Sequence, residues 1–276
     1  MYNLVLKSFG VFINFTAFLF PKWNSKNSFK ILSKVKRAGI SEAGEEFLSK
    51  AEQTYFEVDD QSSVLYKWGN GPKKVLFLHG WMSNSQRWLP YYKKLDLDKY
   101  TMYALDAPGH GKSKTNHLNL EMYRLSIEMT LQIIGDVNTV VCHSFSNTAL
   151  TYSYLVNPKS KIDKIIVMGA PSGMDAIFVY FKEMLGLSAK AIKILDDRIN
   201  NILKISHQQI KINSLLNGTS QPIFVVHDFD DKITPYAPIE TAMGSNPKIE
   251  KMITTGLKHD LKSEEVYNRV IQFIEK

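Results

Sequence analysis

A serine hydroxyl attacks a carbonyl carbon only when a base can take its proton, so the serines of interest are those a fold can hold beside a histidine. Ser144 has the right surroundings. It follows the apolar run Val140-Val141-Cys142 and His143 and precedes Phe145-Ser146-Asn147-Thr148-Ala149-Leu150, which puts it on a corner between a buried strand and a helix. A side chain on such a corner stands above the sheet edge, within reach of a base and of backbone amides. The usual pattern there is GxSxG, and Cys142 and Ser146 occupy the two glycine positions. Both are small, so the turn is predicted to form under strain. The competing interpretation is an ordinary helix cap.

Seven histidines supply candidate bases. His79, His143 and His227 follow apolar runs, but none shows the HxH or HxxxH spacing of a metal site, so no metal is expected. His143 is next to Ser144 and is predicted to point away from it. Asp228, Asp230 and Asp231 cluster after a strand at Gln221–Val226, and His259 follows a last run at Lys251–Thr255.

The elements that must carry these residues alternate in type. Thr54–Val58 and Ser63–Trp68 form an antiparallel pair about Asp59-Asp60-Gln61. Strands at Lys74–Leu78, Met102–Leu105, Thr139–Cys142 and Lys164–Met168 then alternate with helices at about Gln86–Lys94, at Leu118–Ile134, and from Asn147 to Leu155. That is the pattern of a parallel sheet covered on both faces, an α/β fold. Between Ala170 and Gln221 lie about 50 residues where a plain crossover needs about a dozen. The excess is predicted to be a helical lid. Its Phe178, Phe181 and Met184 are candidate substrate contacts, with most other apolar residues packing the lid on the body.

The net charge of +7 comes from one end. Residues 1–40 hold Lys7, Lys22, Lys26, Lys30, Lys34, Lys36 and Arg37 and no acid, so the rest of the chain is neutral. A neutral body excludes a nucleic-acid groove. One cysteine, Cys142, excludes an internal disulfide. Leu4–Phe20 is apolar but too short to span a bilayer core and has no small-residue cleavage site after it. Lys22, Lys26, Lys30 and Lys34 recur every four residues beside Trp23, Phe29, Leu32 and Val35, as in a helix lying on a membrane surface. The alternative packs both segments on the body or on a second subunit, which would make a homodimer. The expected location is cytoplasmic, with peripheral membrane contact through residues 1–37 if the first interpretation holds. In that case residues 1–37 are separable from the rest. Another short helix is expected within Gly39–Lys50.

Two motifs complete the pattern. His79-Gly80-Trp81 follows the third strand, and Asp106-Ala107-Pro108-Gly109-His110-Gly111-Lys112-Ser113 follows the fourth in the form DxPGHGxS. Over about residues 54–276 the chain resembles the α/β-hydrolase superfamily, which includes carboxylesterases and acyl thioesterases. The resemblance implies a mostly parallel eight-stranded sheet with helices on both faces. The implied organisation is an N-terminal helical extension (1–50), a core in two parts (51–170 and 221–276) and a helical lid (171–220). It implies a triad of Ser144, Asp231 and His259, because the family acid lies four residues before a proline, here Pro235, and the base follows the last strand. Trp81 and Phe145 would supply the oxyanion-hole amides, and His110 a structural role. The expected activity is cofactor-free hydrolysis of a small-molecule ester or thioester with a hydrophobic group. Serine in place of aspartate argues against dehalogenase or epoxide-hydrolase chemistry. The alternatives are a non-catalytic binding protein on the same scaffold and a C–C hydrolase or lyase using the same triad.

Overall fold

The computed structural model describes residues 2–158, 161–244 and 246–276, with side chains from residue 6 onward. Three helices lead: α1 (Tyr2–Leu19), α2 (Pro21–Leu32) and α3 (Glu42–Ser49). Then follow β1 (Glu52–Val58), β2 (Gln61–Trp68), β3 (Lys73–Leu78), the short α4 (Leu89–Tyr92), β4 (Tyr100–Asp106), α5 (Leu120–Ile134), β5 (Val137–His143), α6 (Phe145–Val156) and β6 (Ile162–Met168). An insertion holds α7 (Met174–Leu185), α8 (Ala189–Asn200) and α9 (Ile212–Gly218). The chain closes with β7 (Ile223–Asp228), α10 (Tyr236–Met243), β8 (Ile249–Thr254) and α11 (Glu264–Glu275).

The strands form one eight-stranded sheet in the order β1-β2-β4-β3-β5-β6-β7-β8. β2 pairs antiparallel with β1 and β4, and every other pairing is parallel. Successive side chains of the central strands enter opposite layers. Leu76, Leu78, Val140 and Cys142 pack with α5 and α6, while Val75, Phe77 and Val141 pack with α3, α4 and α11. Burial on both faces is why these strands read as continuous apolar runs rather than alternating ones.

Local chemistry explains several boundaries. Asp59 and Asp60 both have positive φ, the conformation a two-residue hairpin demands. The segment expected as one helix from Gln86 to Lys94 is a 3₁₀ turn at Ser85–Trp88 followed by α4, with Pro90 in the first turn of α4, where a missing N–H is tolerated. Ser41 caps α3 by accepting from the Gly44 amide at 3.1 Å.

The N-terminal pair does not stand apart from the fold. α1 and α2 pack on α7 and α8, with Ile13, Ala17, Leu185, Leu187, Ala191 and Leu195 forming a third apolar cluster. The insertion is thus shared: α7 and α8 pack on the extension, while Met174, Leu203, Ile210, Ile212, Leu215 and Leu216 pack on the body as expected. Asn14 fixes the join: its amide group donates to Gly186 O at 2.9 Å and accepts from Ser188 N at 2.7 Å, bridging the α7–α8 turn. A Cβ on Gly10 would lie 1.8 Å from Leu185 O, so only glycine permits this approach of α1 to α7. Arg37 then donates to Gly111 O at 2.6 Å and to Thr115 O, tying the extension to the loop after β4. Among the described residues no helix is long and apolar enough to cross a membrane.

Candidate active site

Ser144 lies between β5 and α6 with φ 58° and ψ −125°. A non-glycine residue there costs on the order of 1–3 kcal/mol and persists only where its surroundings impose it. Three contacts do so: the Ser144 amide donates to Met168 O at 2.9 Å, and Asn147 Nδ2 donates to Ser144 O at 3.0 Å and to Met168 O at 3.1 Å. A Cβ on Gly80 would sit 2.7 Å from Ser144 Cβ, which explains the glycine in His79-Gly80-Trp81.

Ser146 is more than a tolerated substitute for glycine. Its buried Oγ accepts from the His143 amide at 2.9 Å and lies 2.8 Å from Leu78 O, so the hydroxyl fastens the turn to the end of β3. Ser146→Ala, and equally Ser146→Gly, should therefore destabilise the protein by about 1–3 kcal/mol, because the buried His143 N–H loses its acceptor. The expected readout is a lower urea midpoint at unchanged slope, and an unchanged midpoint for the glycine variant would contradict it. Cys142 is fully buried against α5 and α6, and burial pushes its thiol up, away from reactive thiolate.

The three residues expected to act together do meet. His259 Nε2 is 2.8 Å from Ser144 Oγ, and its Nδ1 is 2.7 Å from Asp231 Oδ2. Asp231 also accepts from the Ile233 amide at 2.8 Å, the Thr234 amide at 2.9 Å and the Thr234 hydroxyl at 2.6 Å. Burial raises its carboxyl pKa, but hydrogen bonds from His259 and Thr234 outweigh this and hold it below the ordinary carboxylate value.

His259 sits on a tight 3₁₀ turn whose Lys258 and Leu261 both have positive φ. Its anchors were not evident from the sequence. Asp228 accepts from the Leu257 amide and Asp230 from the Gly256 amide, each at 2.9 Å, so the two carboxylates passed over for the acid hold the base's loop. Arg87 donates to Asp260 O at 2.7 Å. His143, pointing away from Ser144 as expected, donates from Nε2 to His259 O at 2.8 Å. Burial lowers the pKa of His143 and of His79, and of His110 to about 3, so all three are neutral with fixed tautomers. His110 Nε2 accepts from the Met82 amide and His79 Nδ1 donates to Gly80 O, which shapes the loop carrying Trp81. Among the described residues no three His, Cys, Asp or Glu side chains come together as metal ligands.

Trp81 and Phe145 line the space beside Ser144 with their rings edge-on at 5.9 Å. Phe145 opens α6, so its amide lacks an intrahelical acceptor. Two cavities meet at Ser144 and His259. One, about 460 Å³, is apolar and includes Phe178, Phe181, Ile177 and Leu195 of the insertion and Phe29 and Leu32 of α2. Met184, expected as a substrate contact, is not among its lining residues. It packs instead in the cluster joining the insertion to α1 and α2. The other cavity, about 450 Å³, is more polar and includes Asn84, Gln86, Arg87, Asp260 and Lys262. Because α2 walls the first cavity, residues 1–37 are not separable from the site as the sequence suggested.

The model of the alpha/beta hydrolase family matches residues 75–209. The strand order and the turn at Ser144 agree with it. The chain has the α/β-hydrolase fold. Solved structures are similar to most of the chain. The esterase RhEst1 from Rhodococcus sp. ECU1013 superposes with a TM-score of 0.60 at 16% identity, over 82% of this chain and 99% of that one. The epoxide hydrolase VrEH1 from Vigna radiata gives 0.56 at 16% identity, over 83% and 99%. Identity this low carries the fold alone, and these two relatives have different activities. A curated relative, the dihydrolipoyllysine-residue acetyltransferase component of the acetoin cleaving system of Cupriavidus necator, is 40% identical over 72 residues. That match spans 26% of this chain and 19% of the relative.

Proposed function

We propose that the protein is a serine hydrolase of carboxylic esters or thioesters with a hydrophobic acyl group. The observation that carries this reading is the continuous line Ser144 Oγ to His259 Nε2 at 2.8 Å and His259 Nδ1 to Asp231 Oδ2 at 2.7 Å. Ser144 Oγ attacks the acyl carbonyl carbon as its proton moves to His259 Nε2. Asp231 keeps the Nδ1–H tautomer and stabilises the imidazolium. The amides of Trp81 and Phe145 receive the oxyanion, each worth about 3–4 kcal/mol in comparable sites. The tetrahedral intermediate breaks its bond to the leaving oxygen or sulfur, which takes the proton from His259. Water, deprotonated by His259, then attacks the acyl-serine and releases the acid and the free serine.

The two cavities support a division of the substrate, with the acyl chain in the apolar space under α7, α8 and α2 and the leaving group in the polar one beside Arg87 and Lys262. In this reading α7 and α8 act as the lid. Each buried methylene contributes up to about 0.8 kcal/mol, roughly fourfold in kcat/KM. With p-nitrophenyl esters, octanoate should exceed acetate by at least about a hundredfold in kcat/KM. A preference for acetate, or no turnover of any ester by folded protein, would contradict the proposal.

A further inference from the structure

The outer side of α1 is apolar and uncovered. Val11, Phe12, Phe15, Phe18 and Leu19 are exposed, Phe15 by 59% and Phe18 by 70%, and the surface continues through Phe20 at 57% and Trp23 at 46%. The spacing is helical, so these side chains form one strip rather than scattered exceptions. Phe12 and Trp23 meet edge-on at 6.1 Å, which carries the strip from α1 onto α2. The buried sides of these helices are already engaged: Ile13 and Ala17 face α7 and α8, and Asn24 binds Ile13 O.

The surroundings of the strip are cationic. Lys22, Lys26 and Lys30 are exposed at four-residue spacing on α2, and Lys190 Nζ lies 4.9 Å from the ring centre of Phe18. None of these four forms an ion pair among the described residues, and the first 41 residues contain no acid. Exposed aromatics bordered by uncompensated lysines match the boundary between headgroups and acyl chains of an anionic bilayer. A second copy is a poorer occupant, since a two-fold contact would bring together two identical patches bordered by uncompensated lysines.

We infer that the outer face of α1 and the start of α2 form a docking surface for an anionic lipid bilayer. α2 serves both sides, because Phe29 and Leu32 wall the apolar cavity while Lys22, Lys26 and Lys30 are exposed. A docked molecule holds that cavity about one helix diameter, roughly 10 Å, from the lipid.

Docking is independent of the reading of Ser144 and is measured without turnover. The full chain should sediment with vesicles of 3:1 phosphatidylcholine and phosphatidylglycerol, less with phosphatidylcholine alone, and less as salt rises. Phe15→Asp with Phe18→Asp should weaken partitioning at least tenfold. Lys22→Glu with Lys26→Glu should weaken it by at least about fivefold per position on anionic vesicles, since each loses an attraction of about that size and gains a repulsion. Both variants should keep the wild-type melting temperature and far-UV spectrum. If the aspartate pair unfolds the chain, the glutamate pair alone carries the test. Wild-type protein that stays in the supernatant at all lipid concentrations would overturn the inference. So would folded variants that bind undiminished, or a dimer by light scattering that the aspartate pair converts to monomer, which would assign the face to a second copy.

Discussion

Replacing Ser144 with alanine is expected to lower ester kcat by about 10⁴–10⁶ and to abolish covalent labelling by a fluorophosphonate probe. The size of the effect follows from what the side chain does in the proposed mechanism. Without Oγ there is no acyl-enzyme, and His259 loses the group from which it takes a proton. What remains is whatever rate the oxyanion amides and the cavity give to direct attack by water. The substitution should leave the fold intact, because the Ser144 backbone is fixed by Met168 O and Asn147 rather than by the hydroxyl. Wild-type protein that folds but resists the probe would favour a binding protein on this scaffold. Labelling that survives in the alanine variant would place the nucleophile elsewhere.

Asp231→Asn should cost about 10⁴ in kcat, and the local hydrogen bonds dictate why. Oδ1 of Asp231 accepts from the amides of Ile233 and Thr234, so the asparagine carbonyl must occupy that position. Its NH₂ group is then forced toward His259 Nδ1, where a carboxylate oxygen now stands 2.7 Å away. A donor facing Nδ1 drives the ring proton to Nε2, and Nε2 can no longer accept from Ser144. Loss of activity with an unchanged far-UV spectrum and retained vesicle binding separates this from unfolding. Retention of more than a tenth of wild-type kcat would mean that the acid has been misassigned.

Much of the sheet was legible because its central strands are buried on both faces and read as unbroken apolar runs such as Val75–Leu78 and Ile165–Met168. Most observed strands begin one or two residues before the segments read as strands, as β3 does at Lys73 and β6 at Ile162, because pairing continues past the apolar run, whereas β7 begins at Ile223, after Gln221 and Pro222. The short helices α9 and α10 were not read, since neither has a side-chain cap of the kind Ser41 gives the equally short α3, and Pro238 sits within α10. In the site, Ser144 was legible from its strand-to-helix corner, and Asp231 and His259 through the family resemblance, which puts the acid four residues before a proline and the base after the last strand. Their supports were not: Asn147, His143 and Asp228 act through contacts between segments distant in the chain, which no local pattern records.

The sequence by itself determined the alternation of strand and helix, the corner at Ser144, and the chain order of the three residues that meet there. Only the tertiary structure decided what the amphipathic pieces face. Helical spacing states that α1 and α2 have an apolar side, but not that Asn14 and Gly10 dock that side on the α7–α8 turn, that Phe29 completes the cavity, or that Met184 turns from it. Burial is non-directional, so an apolar stripe specifies that it will be covered, and shape and hydrogen-bond complementarity choose the cover.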